Sequence, residues 1–329
     1  MRKLLLLCTF WIIAGTGINA QEKPADSFGA LVFYEFSYNT EDGLIKSNEF
    51  EFHRIYFTYE HRFSDELNYK FQVDAGRTDG GRLAVFIKNA KVDWNTDFGK
   101  IVIGMQGMNV FKVHEENWGY RFLEMSPMDL NKWASSADLG IGYYNTFAGN
   151  IHFSTLITNG PGYKNAENDK YKKISTHITY GEDRIDKKDG FNVGGLFVYE
   201  PFSFEKDSVT KSLEPRMIYG AYGGYAGYGF RGGVEFDQRF TGGSDLTERI
   251  ISAYANYKIT AMMEIFARFD NLDPNTGMKK DGSNLIIGGL NFTPVKGLSI
   301  APNVRVTTYQ DSRIDTETIY RLNFQFKVN

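Results

Sequence analysis

Runs of about ten residues in which polar and apolar side chains alternate recur along most of this chain, and they constrain its fold more than any other feature. "GVEFDQRF" (233–240) sets the pattern: Glu235, Asp237 and Arg239 fall on one side of an extended strand, Val234, Phe236 and Phe240 on the other. Sixteen such runs can be marked, at roughly 27–38, 48–62, 66–78, 82–95, 99–106, 137–147, 150–159, 172–181, 191–199, 215–225, 229–240, 248–259, 261–271, 283–293, 297–309 and 317–328. An even set of two-faced strands suits a closed barrel with lipid outside and water within. The expected fold is all-β: a transmembrane antiparallel β-barrel of about sixteen strands.

The connections sort by parity. Short ones such as 63–66, 96–98, 148–149, 226–228, 260–261 and 294–296 alternate with longer ones at 39–47, 107–136, 160–171, 200–214, 240–247, 272–282 and 310–316; 182–190 and 79–81 break the rule. Short periplasmic turns and long external loops are the outer-membrane arrangement. Composition agrees. Mean hydropathy is −0.37 and no later stretch reaches 18 continuous apolar residues, yet aromatics make up 16% of the chain. This excludes spanning helices and favours spanning strands.

The opening "MRKLLLLCTFWIIAGTGINAQ" has a basic start, an apolar run and small residues near Ala20. It predicts a signal peptide over 1–20, leaving an outer-membrane barrel domain over 21–329. Cys8, the sole cysteine, would leave with it, so disulfides are not expected. Losing Arg2 and Lys3 leaves 35 basic against 40 acidic residues, a balance that does not suit a nucleic-acid partner.

Two regions are expected to meet solute. Residues 107–136 form the longest connection and the third long one, predicted to fold inward as a constriction. "EENWGYRFLEMSPMDL" suggests a short helix stopped by Pro127. Its charges are mixed: Lys112, Arg121 and Lys132 against Glu115, Glu116, Glu124 and Asp129. The inner wall is more basic. Arg54, Arg62, Lys70, Lys91, Lys100, Arg231, Arg239, Arg249, Lys258, Arg268, Arg305, Arg321 and Lys327 stand against Glu60, Asp74, Asp93, Glu235, Asp237, Glu264 and Asp270, thirteen to seven. A net positive lumen would concentrate anions.

"FARFDNLDPN" (266–275) and "SADLGI" (136–141), with "HRIYFTYEHRF" (53–63), "YKFQVDAG" (69–76), "IKNAKVDW" (87–94) and "SADLGIGYY" (136–144), resemble the phosphate-selective porin O and P family over most of the mature chain. The resemblance implies a sixteen-stranded outer-membrane porin, a homotrimer, and passive diffusion of small hydrophilic solutes with anion, including phosphate, preference. Outer-membrane lipid and the barrel assembly machinery are the other expected partners. Phe324 and Phe326 keep the aromatic face of an assembly signal, although the chain ends on Asn329.

Other functions fit less well. A sugar-preferring porin would stack Trp118, Tyr120 and Trp133 along its pore. A structural or adhesin barrel without transport would close the lumen or enlarge the loops. His152 and Ser154 resemble the His-x-Ser of outer-membrane phospholipase A, but the alternation turns them inward, away from lipid, and no Asn-Gly follows the serine directly. No enzyme is expected. The histidines have no metal-ligand spacing and "GYGFRGG" opens no helix, so neither metal nor cofactor is expected.

Overall fold

Alternation with period two forces each run into a strand. The computed structural model describes residues 25–41, 44–78, 80–167, 169–205 and 211–328. The expected signal peptide, Cys8 and Asn329 lie outside the described residues. The strands are β1 Ala25–Glu41, β2 Leu44–Arg62, β3 Leu67–Arg77, β4 Leu83–Thr96, β5 Gly99–Gly107, β6 Ala137–Phe147, β7 Ile151–Thr158, β8 Lys173–Gly181, β9 Gly190–Glu205, β10 Lys211–Gly227, β11 Phe230–Thr241, β12 Leu246–Lys258, β13 Met263–Asp273, β14 Ser283–Val295, β15 Leu298–Tyr309 and β16 Glu317–Val328. Each pairs antiparallel with its chain neighbours, and β1 pairs with β16 from Ala30↔Val328 to Glu41↔Glu317, which closes the barrel. Closure removes the edge that lipid could not satisfy.

The outward face is apolar. Val234 and Phe236 on β11, Ile265 and Phe269 on β13 and Ile103, Ile141 and Ile157 on β5–β7 are all exposed. So broad an apolar surface is stable only in hydrocarbon. At the short-turn end, Tyr228 and Gly229 both have positive φ (55° and 81°), the geometry of a tight two-residue hairpin whose twist matches its strands.

The loops depart from expectation. Residues 39–47 and 200–214 were expected as long loops, yet strands run to Glu41 and from Leu44, and to Glu205 and from Lys211. Loop length therefore sorts by side less cleanly than the sequence suggests, because hairpins continue pairing past the apolar belt. Arg249 also changes face. Glu248, Ile250 and Ser252 are buried inward on β12, so Arg249 points outward and pairs with Asp273 at 3.0 Å. The inner wall thus loses one of its thirteen expected cations.

Two helices lie in the connection after β5: α1 Lys112–Trp118 and α2 Pro127–Leu130. Gly119 ends α1 in the left-handed region at φ 76°. Pro127, expected to stop a helix, instead opens α2. Its missing N–H costs nothing at a helix start, where Ser126 caps by accepting from the Asp129 N–H.

Candidate functional site

Residues 108–136 run through the barrel and bond along one side of its wall. Asn109 donates to Ser154 Oγ (2.9 Å) and accepts from Ser175 Oγ (2.7 Å). Asn117 and Asn192 exchange amide hydrogen bonds of 2.7 and 2.9 Å. The Trp118 carbonyl accepts from Asn256 (3.0 Å) and Arg231 (3.3 Å), and Met125 O from Arg268 (2.7 Å). Tyr120 bonds Glu264, Glu124 pairs with Arg305, and Asn323 donates to Phe122 O at 3.3 Å. Two buried apolar clusters complete the seal. Met108, Phe111, Met128 and Trp133 pack on Leu156, Leu196 and Ile250, while Trp118, Tyr120 and Phe122 pack on Phe33, Tyr254 and Phe266.

What remains open is off-centre. At the long-loop end a cavity of about 620 Å³ lies among the 159–171 connection, the tops of β8–β11 and α2. At the short-turn end a cavity of about 920 Å³ runs along β3–β8 against α1. Each is lined by six basic and three acidic residues. The first has Arg54, Lys132, Lys164, Lys173, Arg216 and Arg239 against Asp129, Asp169 and Glu200. The second has Lys70, Lys88, Lys91, Lys100, Lys112 and Arg121 against Glu115, Glu116 and Asp183.

The boundary between the cavities is built from Arg54, Tyr56, Lys88, Arg121, Asp129 and Tyr163. Lys88 Nζ donates to Tyr56 Oη at 2.9 Å and sits 4.6 and 5.5 Å from the Tyr56 and Tyr163 ring centroids. Among the described residues no carboxylate lies within ion-pair distance of it. Arg54, by contrast, pairs with Asp74 (2.9 Å), which also accepts from Tyr163 Oη (2.6 Å). Burial raises the Tyr163 pKa, keeping the phenol a donor. Arg121 pairs with Glu115 and, at 3.1 Å, with Asp129. Burial alone would weaken its charge, but Glu115, Tyr56 and Asp129 hold its pKa well above the ordinary value. Lys88 escaped the sequence reading because of a β-bulge. Gln72 faces Asn89 while Val73 faces Ile87, so Lys88 falls in the register shift.

The expected residues divide accordingly. Arg54, Lys91 and Arg239 on the wall, with Glu115, Glu116, Arg121, Asp129 and Lys132 from the connection, line the cavities. Lys91 is paired with Asp93 (2.7 Å) and Arg239 with Glu248 (2.5 Å). Arg62 sits at the short-turn rim, 3.8 Å from Asp65. Arg62 and six further wall candidates, with one from the connection, line neither cavity. Arg231, Arg268 and Arg305 hold the connection, Arg321 reaches Glu35 (3.3 Å), and Glu124 is sealed with Arg305. Glu235 and Asp237 are buried, with His114 Nε2 of α1 3.7 Å from Glu235. The inward alternation is right for the wall residues among them, but folded chain occupies the space before them. Trp118 and Tyr120 are likewise buried in the aromatic cluster and line neither cavity.

No family model matches the chain, and no curated protein matches it. Solved structures do. The outer membrane channel DcaP of Acinetobacter baumannii aligns with TM-score 0.69 at 12% identity, covering 94% of this chain and 99% of its own. An anion-selective porin from Comamonas acidovorans aligns at 0.66 and 10%, covering 93% and 100%. OmpT of Vibrio cholerae in its trimer form aligns at 0.66 and 14%, covering 93% and 100%. The likeness is one of fold, the sixteen-strand outer-membrane barrel. With its apolar belt, this barrel lies in the outer membrane of a Gram-negative-type cell.

Proposed function

We propose that the protein is a porin, a non-enzymatic channel through which small hydrophilic solutes diffuse along β3–β8 with a weak preference for anions. The observation that carries this reading is the lining of the two cavities, twelve basic residues against six acidic ones, although the whole chain carries a net charge of −3. One sign of charge along a low-dielectric wall raises the local concentration of the opposite ion. Lys88 supports a site for oxyanions of the phosphate class at the boundary between the cavities: its ammonium has hydrogens left to donate and, among the described residues, no carboxylate within ion-pair distance competes for them. The similarity in fold to an anion-selective porin points the same way, and the trimeric form of a second neighbour supports a homotrimer.

The test is conductance in a planar bilayer under a salt gradient. The expected result is stepwise current with a reversal potential of anion sign, fading as salt rises and the Debye length falls below about 8 Å. Cation preference would reject the role of the lysine-lined path. Membranes that stay closed at every voltage would favour a second reading, a structural barrel, which the dense anchoring of 108–136 makes physically reasonable.

A further inference from the structure

The connection 182–189 is the longest on the short-turn side, and it does not hang into solvent. Ile185 is 3% exposed, and a Cβ added at Gly224, which faces inward on β10, would come within 2.8 Å of Ile185 Cδ1 and 2.6 Å of Asn117 Nδ2. The turn, the wall and the end of α1 therefore meet inside the barrel. Arg184 adds a polar bond to the same helix. It grips Asp186 with two hydrogen bonds of 2.8 Å and lies 3.3 Å from Glu116, which also pairs with Lys112 at 2.6 Å. The Glu182 carbonyl accepts from Asn192, the partner of Asn117, at 2.8 Å. Glu116, a candidate for the constriction, is thus tied from below.

Resting on the channel reading above, we infer that the turn 182–189 is a periplasmic clamp: Ile185 and Arg184 are positioning residues that hold α1 and thereby set the width of the solute path from the side opposite to the loop's own origin. The connection containing α1 enters from the long-loop end, so its far tip would otherwise depend on wall contacts alone. A turn of two to four residues, as elsewhere on this side, could not reach it. The extra length in "GEDRIDKKDG" (181–190) supplies that reach, with the apolar Ile185 set between charged neighbours that stay at the surface; Lys187 and Lys188 are exposed.

Two measurements on the folded barrel test this. In a chain with Cys8→Ser, Ile185→Cys should resist a membrane-impermeant maleimide while Lys187→Cys reacts. In bilayers, Arg184→Ala should raise open-channel current noise severalfold and shift the reversal potential, with heat-modifiable gel migration unchanged; Arg184→Lys, which can still reach Glu116, should restore the quiet current. A fold-only role would leave the reversal potential alone. With a conducting wild type, equal labelling at 185 and 187, or an Arg184→Ala current like that of wild type, overturns the clamp while the channel reading stands. A wild type that never conducts overturns the channel reading and the clamp's role with it.

Discussion

The two halves of the barrel interior start from the same alternating pattern and end differently. On β11–β15 folded chain consumes most of the inward charges: Arg231, Arg268 and Arg305 bond the 108–136 connection, and Glu235 and Asp237 are buried, although Arg216 and Arg239 still line the long-loop cavity. On β3–β8 the inward lysines face open space, with Lys70, Lys88, Lys91 and Lys100 along one cavity. An inward charge is therefore not in itself a pore charge. What stands in front of it decides whether it anchors or attracts.

The largest effect is expected from breaking the covered half. Trp118→Ala removes a fully buried ring that packs on Tyr120, Tyr254 and Phe266, at a cost of about 4 kcal/mol. Denaturant titration of the folded barrel should show the loss, and single-channel conductance should rise as the connection loosens. Glu124→Gln comes next. It strands Arg305 without its partner, which costs about 3 kcal/mol for a buried pair; the same titration measures it.

Acid should act on the same half. Burial opposes the Glu124 charge, but Arg305, Arg268 and Arg321 outweigh it and hold the pKa below the ordinary carboxylate value. Burial, with His177 and Arg268, holds His114 well below its ordinary value. Both depressed groups bind protons more readily when the connection is free. Their contributions to docking are complete above the free values and shrink as pH falls, from about 6.5 for His114 and from about 4.3 for Glu124. Channel noise should therefore grow on acidification, beginning near pH 6.5, and His114→Gln should delay its onset. Glu235, 3.7 Å from the ring, is the carboxylate that could blunt this, so Glu235→Gln should sharpen it.

On the open half the effects are smaller in stability and larger in selectivity. Lys88→Gln should cost about 1 kcal/mol, the worth of one hydrogen bond, yet reduce anion preference more than Arg231→Gln does. The smallest effect belongs to Lys279 and Lys280, exposed in an outer connection. Their replacement by Gln should leave the reversal potential unchanged and shift stability by less than about 0.5 kcal/mol. If it moved selectivity as much as Lys88→Gln, the distinction between facing the path and facing bulk water would fail.

Each of the sixteen alternating runs is a strand, because a one-residue slip would put charge into lipid and is heavily penalised. The misreadings sit where that penalty vanishes. Arg249 lies above the belt, where either face meets water, so its neighbours could not fix its direction. The strand extensions into 39–47 and 200–214 likewise carry exposed charges, Lys46, Glu205 and Lys211, among apolar residues such as Leu44, Phe202 and Leu213. Lys88 was hidden by a bulge, which breaks period two for a single residue and leaves no mark in composition. The clamp at 182–189 had one legible sign, a connection too long for its side. Which cations would be covered was not legible at all, since it depends on contacts between 108–136 and strands more than a hundred residues away, as between Arg268 and Met125.

The seam between β1 and β16 has a further consequence for assembly. Asn323 on the last strand donates both to Glu35 on the first, 288 residues away in sequence, and to Phe122 O in the inward connection. Pairings so remote form late, because loop closure must precede any gain from them. The final latch on the constriction is thus available only once the ends of the chain have met. Until that moment the nascent sheet has two raw edges and an unseated connection. Sealing the barrel and setting its bore are then one event, and a chain truncated before Asn323 should lose both together.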